Sequence, residues 1–152
     1  MASVSRRMST TPHRVWEVLA DGWLCPLWVV GASRIRDVDA SWPEPGSRIF
    51  HSVGVWPMLI DDNTEVLESV PDQMIKMKAK GQFLGKAEVL ITLRLVGSET
   101  NVEISEVPVS GPGTVVPHSV MAPMLNWRNV ETLRRLAYLA ERRPKALLEK
   151  AD

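Results

Sequence analysis

Between positions 33 and 109 apolar and polar residues alternate with period two, and on either side of that block they recur at helical spacing. The first helical segment is announced by 9-STTP-12, where Ser9, Thr10 or Thr11 can cap and Pro12 sits where a missing N–H is harmless. Val15, Trp16, Val18 and Leu19 then form an apolar stripe, and Asp21-Gly22 ends it. Ahead of this helix, SVSRRM alternates weakly and predicts a short edge strand. After it, 23–28 contains Pro26 and reads as a short helical turn, with Gly31-Ala32 letting the chain change direction. In this connector Trp23, Leu24 and Leu27 are expected in the core.

The alternating block divides into strands over 33–38, 47–55, 62–70, 74–80, 86–96 and 100–109. The turn segments between them are WPEPGS, the WP pair at 56–57, PDQ, GQFLG and GSET. Short connections between consecutive strands predict an antiparallel meander. In 86-KAEVLITLRLV-96, Ala87, Val89, Ile91, Leu93 and Leu95 share one face, against Lys86, Glu88, Thr92 and Arg94 on the other. One face is therefore covered and the other wet. After 110-SGPGTVVP-117 the longest helical stretch, 121–142, carries Val130, Leu133, Leu136, Ala137 and Ala140 as its apolar stripe, and Pro144 marks its end. A curved antiparallel sheet with this helix laid across its concave face would bury both apolar surfaces. The fold class is α+β, with six to seven strands and a small helical pair between the first two.

Composition narrows what such a fold could do. At 152 residues the chain fits one domain, read as 1–143 with a tail at 144–152. Eighteen Lys+Arg balance eighteen Asp+Glu. The basic clusters, Arg6-Arg7, the lysines between 76 and 80, Arg134-Arg135 and Arg142-Arg143, are dispersed and read as solvated faces, so no nucleic-acid partner is expected. Cys25 stands alone, which excludes an internal disulfide and any cysteine metal spacing, and Asp61-Asp62 has no ligand spacing around it. The N-terminus lacks a signal-peptide apolar region, and no run approaches the ~20 residues that span a bilayer. A soluble cytoplasmic protein without stable membrane insertion is expected, with a homodimer left open. The chain contains no G-x-G-x-x-G, Walker A, H-E-x-x-H or G-x-S-x-G pattern, so neither a cofactor nor a metal is expected.

The order of elements resembles the START-like helix-grip superfamily, in particular the bacterial polyketide cyclase/dehydrase and lipid transport group, abbreviated SRPBCC. The resemblance spans the chain and is carried by 12-PHRVWEVLAD-21, 28-WVVGASRIRDVD-39, 43-PEPGSRI-49, 65-EVLESVPDQMIKMKAK-80, 102-VEISEVPVSGPG-113 and 127-WRNVETLRRLAYLAE-141. It implies a hydrophobic ligand pocket and leaves the activity open, because one scaffold hosts carriers, receptors and cyclases.

On this reading the pocket is lined by Trp28, Val30, Trp56, Met58, Met77, Ile91, His118, Met121, Met124, Trp127 and Val130, while Trp16 belongs to the helix–sheet core. Aromatic rings and adaptable thioethers suit a greasy ligand. His51 shares strand parity with Ile49, Val53 and Val55, and Glu106 shares parity with Val102 and Ile104, so both point inward unless a bulge near Pro108 intervenes. Two readings stay open for these residues: polar groups that orient a bound lipid, polyketide or aromatic metabolite, or an acid/base pair of a cofactor-free cyclase or dehydratase. A third reading is a protein-interaction module whose cavity has closed.

Overall fold

The weak N-terminal alternation forms a full strand, β1 (Ala2–Met8), paired along its length with the last strand of the sheet. A computed structural model describes residues 2–29, 32–53, 60–81, 85–110, 115 and 117–142. Helix α1 (Pro12–Leu19) follows, capped by Thr11, whose hydroxyl accepts from the Arg14 N–H, with Pro12 in its first turn. A 3₁₀ turn (Gly22–Leu24) leads into α2 (Cys25–Trp28). The remaining strands are β2 (Ala32–Val38), β3 (Arg48–Val53), β4 (Ile60–Val70), β5 (Met74–Gly81), β6 (Gly85–Val96) and β7 (Glu99–Ser110), and the chain closes with α3 (His118–Arg142). The meander expected from the turns is present: the strands form one seven-stranded antiparallel sheet in the order β1-β7-β6-β5-β4-β3-β2. The α1–α2 pair separates β1 from β2, which end on opposite edges.

Packing explains the order. Val15, Trp16, Val18 and Leu19 of α1 join Met8, Leu93, Val102, Leu133, Leu136 and Ala140 in one buried cluster. Trp16 is thus in the helix–sheet core, as its spacing requires. α2 packs against both α3 and β2, closing the flank between the helix and the far edge of the sheet. Trp42 fastens the loop before β3 by donating its indole N–H to the Leu19 carbonyl at 3.1 Å.

Three expectations are corrected here. Trp23 and Leu27 are exposed, and only Leu24 of that trio packs on the core, because the 3₁₀ turn and α2 present one narrow face inward, led by Gly22 and Trp28. The last helix begins at His118 rather than 121, so Pro123 falls in its second turn rather than its first. Its buried stripe is Leu125, Asn129, Thr132, Leu133, Leu136, Ala137 and Ala140, so the line expected to run through Val130 runs instead through polar residues.

Gly22 is where the connector meets the sheet. A Cβ added there would stand 2.7 Å from Val38 Cγ1 and 3.2 Å from Ile49 Cδ1, both on stiff β-branched side chains. Gly22→Ala is expected to destabilise the fold by ~1–3 kcal/mol in urea unfolding; an unchanged midpoint would mean the connector has room to retreat. On the surface, His13 of α1 lies 3.0 Å from Glu17 and 3.0 Å from Asp72 in the β4–β5 turn. The hydrogen bond and charge of Asp72, with Glu17 behind it, raise the His13 pKa above 6.5. A raised folded-state pKa means the contact stabilises below the unfolded value and is lost as pH rises through the folded one. NMR titration should find His13 above 6.5 and Asp72→Asn should bring it back down.

Candidate functional site

The alternation of β7 sets the site. The two-residue turn that pairs Val96 with Glu99 places Gly97 at φ +62°, a conformation glycine adopts freely, and fixes the register that follows. Leu93 then faces Val102, Ile91 faces Ile104 and Val89 faces Glu106. The register shift of this pair lies beyond Glu106, between Lys86 and Ala87, where Pro108 comes opposite Ala87. Glu106 therefore keeps the inward parity of Val102 and Ile104, and it is buried like them. Its carboxylate accepts a hydrogen bond from an Arg128 guanidinium N–H, an ion pair that ties α3 to β7. Arg128 remains a third exposed, so the pair spans from the interior to its rim.

His51 occupies the equivalent place on the other side of the sheet. Ile49 and His51 are both buried, and His51 Nε2 lies 3.0 Å from Thr64 Oγ1 on the neighbouring strand. Both polar residues thus face inward, as parity requires, but they do not form the acid/base pair considered above. Three strands, β4, β5 and β6, separate β3 from β7, and each residue has a different partner. An imidazole oriented by a carboxylate needs the two in hydrogen-bond reach.

The remaining candidates divide cleanly. Trp28, Met77 and Ile91 are buried on the inner side. Met124, Trp127 and Val130 are 51%, 67% and 50% exposed and do not line the interior. The reason is helical geometry: at ~100° per residue Trp127 lies across the helix from both Leu125 and Asn129. His118 and Met121 lie in the first turns of α3, and their side chains fall outside the described residues. Val30, Trp56 and Met58 fall outside them altogether. Sequence reading passed over Arg128, Asn129, Thr132 and Thr64. The signal for three of them was present, since the stripe through Leu136 and Leu133 extends backward to Thr132, Asn129 and Leu125 with Arg128 at its edge.

Burial grades along the inner face. Val66, Ile75, Ile91, Leu93 and Val102 are closed off, while Thr64, Ala79, Ala87 and Val89, nearer the end of the sheet where β1 begins and β7 ends, stay half-buried. A separate groove of about 550 Å³ lies between α2, β1 and the outer flank of α3, lined by Arg6, Leu27, Arg134, Arg135, Tyr138 and Glu141 among others. Arg134 and Arg135 there both donate to Glu131, whose pKa they depress to about 2. The groove is open to solvent and its two helix arginines are already engaged by Glu131, so the interior, where polar groups are desolvated, is the better candidate site. Burial pushes the Cys25 thiol up to about 12, which leaves it a poor nucleophile. Among the described residues no cluster of side chains is placed to hold a metal ion, and no helix is long and apolar enough to cross a membrane.

No protein-family model matches the chain, and no curated protein matches it. Solved structures do. A Mesorhizobium loti protein superposes with a TM-score of 0.69 at 16% identity, covering 94% of this chain and 98% of its own. Ara h 8.0201 does so with 0.69 at 10% identity, covering 91% and 95%. The di-domain ARO/CYC StfQ from the steffimycin biosynthetic pathway reaches 0.70 at 10% identity, covering 93% of this chain and 51% of that one. The chain has a helix-grip α+β fold, a seven-stranded antiparallel sheet with a long C-terminal helix.

The Glu106–Arg128 pair is testable on its own. Arg128→Ala leaves a buried carboxylate without its counter-charge and is expected to cost ~2–4 kcal/mol in denaturant unfolding. Adding Glu106→Gln should recover part of that loss; additive losses in the double variant would show that the two side chains do not interact in solution.

Proposed function

We propose that this chain binds a hydrophobic small molecule, of the lipid, polyketide or aromatic-metabolite kind, between the inner face of the sheet and α3. The observation that carries the reading is the graded burial: Thr64, Ala79, Ala87 and Val89 point to the concave side yet stay half-accessible, although Ile91, two residues along β6 on the same face, is sealed. An inward-facing apolar surface left open is surface a ligand can cover. Covering it contributes roughly 25 cal/mol per Å² before ordering costs. The likeness to StfQ supports a role with small molecules and keeps a cyclase-type reaction as the second reading. That reaction would have to run through His51 or Glu106 singly, since their partners are Thr64 and Arg128.

Native mass spectrometry of freshly purified protein, followed by organic extraction, tests the pocket. An apolar adduct, or uptake from a panel of fatty acids and polycyclic aromatics, is expected in the wild type and in Val130→Trp, whose new ring would lie on the outer face. Val89→Trp should abolish it. Loss in Val130→Trp with retention in Val89→Trp would move binding to the outside of α3, and a folded protein that takes up none of the panel would overturn the proposal.

A further inference from the structure

Single apolar side chains on a protein's exterior need no explanation, whereas a contiguous group of large ones marks an interaction surface. The outer side of α3 carries such a group. Trp127 is 67% exposed and Tyr138 60%, with Met124 and Val130 about half exposed beside them. Trp127, Glu131, Arg134 and Tyr138 follow one another at i, i+4, i+7 and i+11. At ~100° per residue they fall within about 60° of one another along ~17 Å of helix. Leu27 of α2, also exposed, lines the same groove as Arg134, Arg135 and Tyr138 and extends the patch there. Tryptophan, tyrosine and arginine are the residues that most often anchor protein interfaces.

The order of residues on this row indicates what covers it. Its described charges alternate in sign, unlike the run of basic residues with which a protein meets an anionic lipid surface. Trp127 and Tyr138 stand equally far from the midpoint between Thr132 and Leu133, and so do Glu131 and Arg134, Val130 and Arg135, and Met124 and Glu141. A second α3 laid antiparallel across that midpoint by a two-fold axis therefore meets the row with its own complement. Ring packs against ring, carboxylate meets guanidinium, and the Val130 methyls lie on the Arg135 stem. Within one chain Glu131 accepts from Arg134 Nε and Nη2 and from Arg135 Nε. The Arg134 side chain is 64% exposed, and of the five N–H donors of a guanidinium it keeps three for the Glu131 across the axis. We propose that the outer side of α3 binds a second copy of this chain, forming a two-fold dimer through an antiparallel α3 pair. The inner side of each helix stays on its own sheet, so each copy keeps its own interior. One helix pair is at the small end of specific interfaces, below roughly 1,200 Å² in total, so a Kd on the order of 10–100 µM is expected.

Sedimentation equilibrium of the full chain over concentrations spanning that Kd reads the association. The wild type is expected to pass from monomer to dimer, and Trp127→Glu to weaken association at least about tenfold, the size of one interface anchor. The register has its own readout. Glu131→Arg sets arginine against arginine at both crossings of the axis, Arg134→Glu sets carboxylate against carboxylate, and each variant alone is expected to stay monomeric. Mixed, they restore opposite charges at both crossings, so native mass spectrometry should find the heterodimer and neither homodimer. A wild type that stays monomeric throughout would overturn the proposal; should that monomer float with phosphatidylglycerol vesicles and Trp127→Glu fail to, the face belongs to a lipid surface instead. A dimer untouched by Trp127→Glu would place the interface elsewhere on the molecule and overturn the assignment to α3. A mixture that yields no heterodimer would overturn the antiparallel pairing.

Discussion

The structure depends on α3 having one side that a concave sheet can close upon. Leu125, Leu133, Leu136 and Ala140 supply the apolar part of that side, with β1 and β7 as the sheet strands it lies against. Without the helix the inward apolar positions of the sheet would be wet, and a lone amphipathic helix would be unstable in water. Each element supplies the surface the other lacks. The α1–α2 pair fills the flank the helix cannot reach, which is why the chain inserts it between two strands that end on opposite edges.

From that arrangement follows a gradient along the interior. Around Met8, Leu19, Leu93 and Leu136 the packing is apolar and closed. Toward the other end the inward positions become Thr64, His51, Glu106, Asn129 and Thr132, and the apolar residues Ala79, Ala87 and Val89 are only partly buried. Desolvating a carboxylate and an imidazole has a cost that an apolar residue at the same place would avoid. Their presence next to accessible apolar surface is the pattern of a binding site with a greasy wall and a few oriented polar groups.

The outside of α3 tells the complementary story. Trp127, Val130 and Tyr138 are large and exposed, while polar Asn129 and Thr132 are inside. Residue type therefore points the wrong way over this stretch. Reading it by apolar identity assigns Trp127 and Val130 to the cavity; reading it by angle from Leu133 and Leu136 assigns Asn129 and Thr132.

The sequence alone determined the elements. Period-two alternation, glycine and proline turns and the STTP cap specify the strands, the first helix and an antiparallel meander, because a strand or helix bounded by short turns has little choice of neighbour. Inward parity of His51 and Glu106 was legible too, since no bulge falls between them and their buried strand-mates. Tertiary structure alone decided which residues meet. His51 and Glu106 share a face yet have three strands between their own, so their partners became Thr64 and Arg128, and the rotation of α3 about its axis, set by burial summed over its whole length, overruled the hydrophobicity of Trp127 and Val130. Local pattern fixes the direction in which each side chain leaves its own backbone; contacts between distant segments depend on how all the packed surfaces add up, and no window of sequence contains that sum.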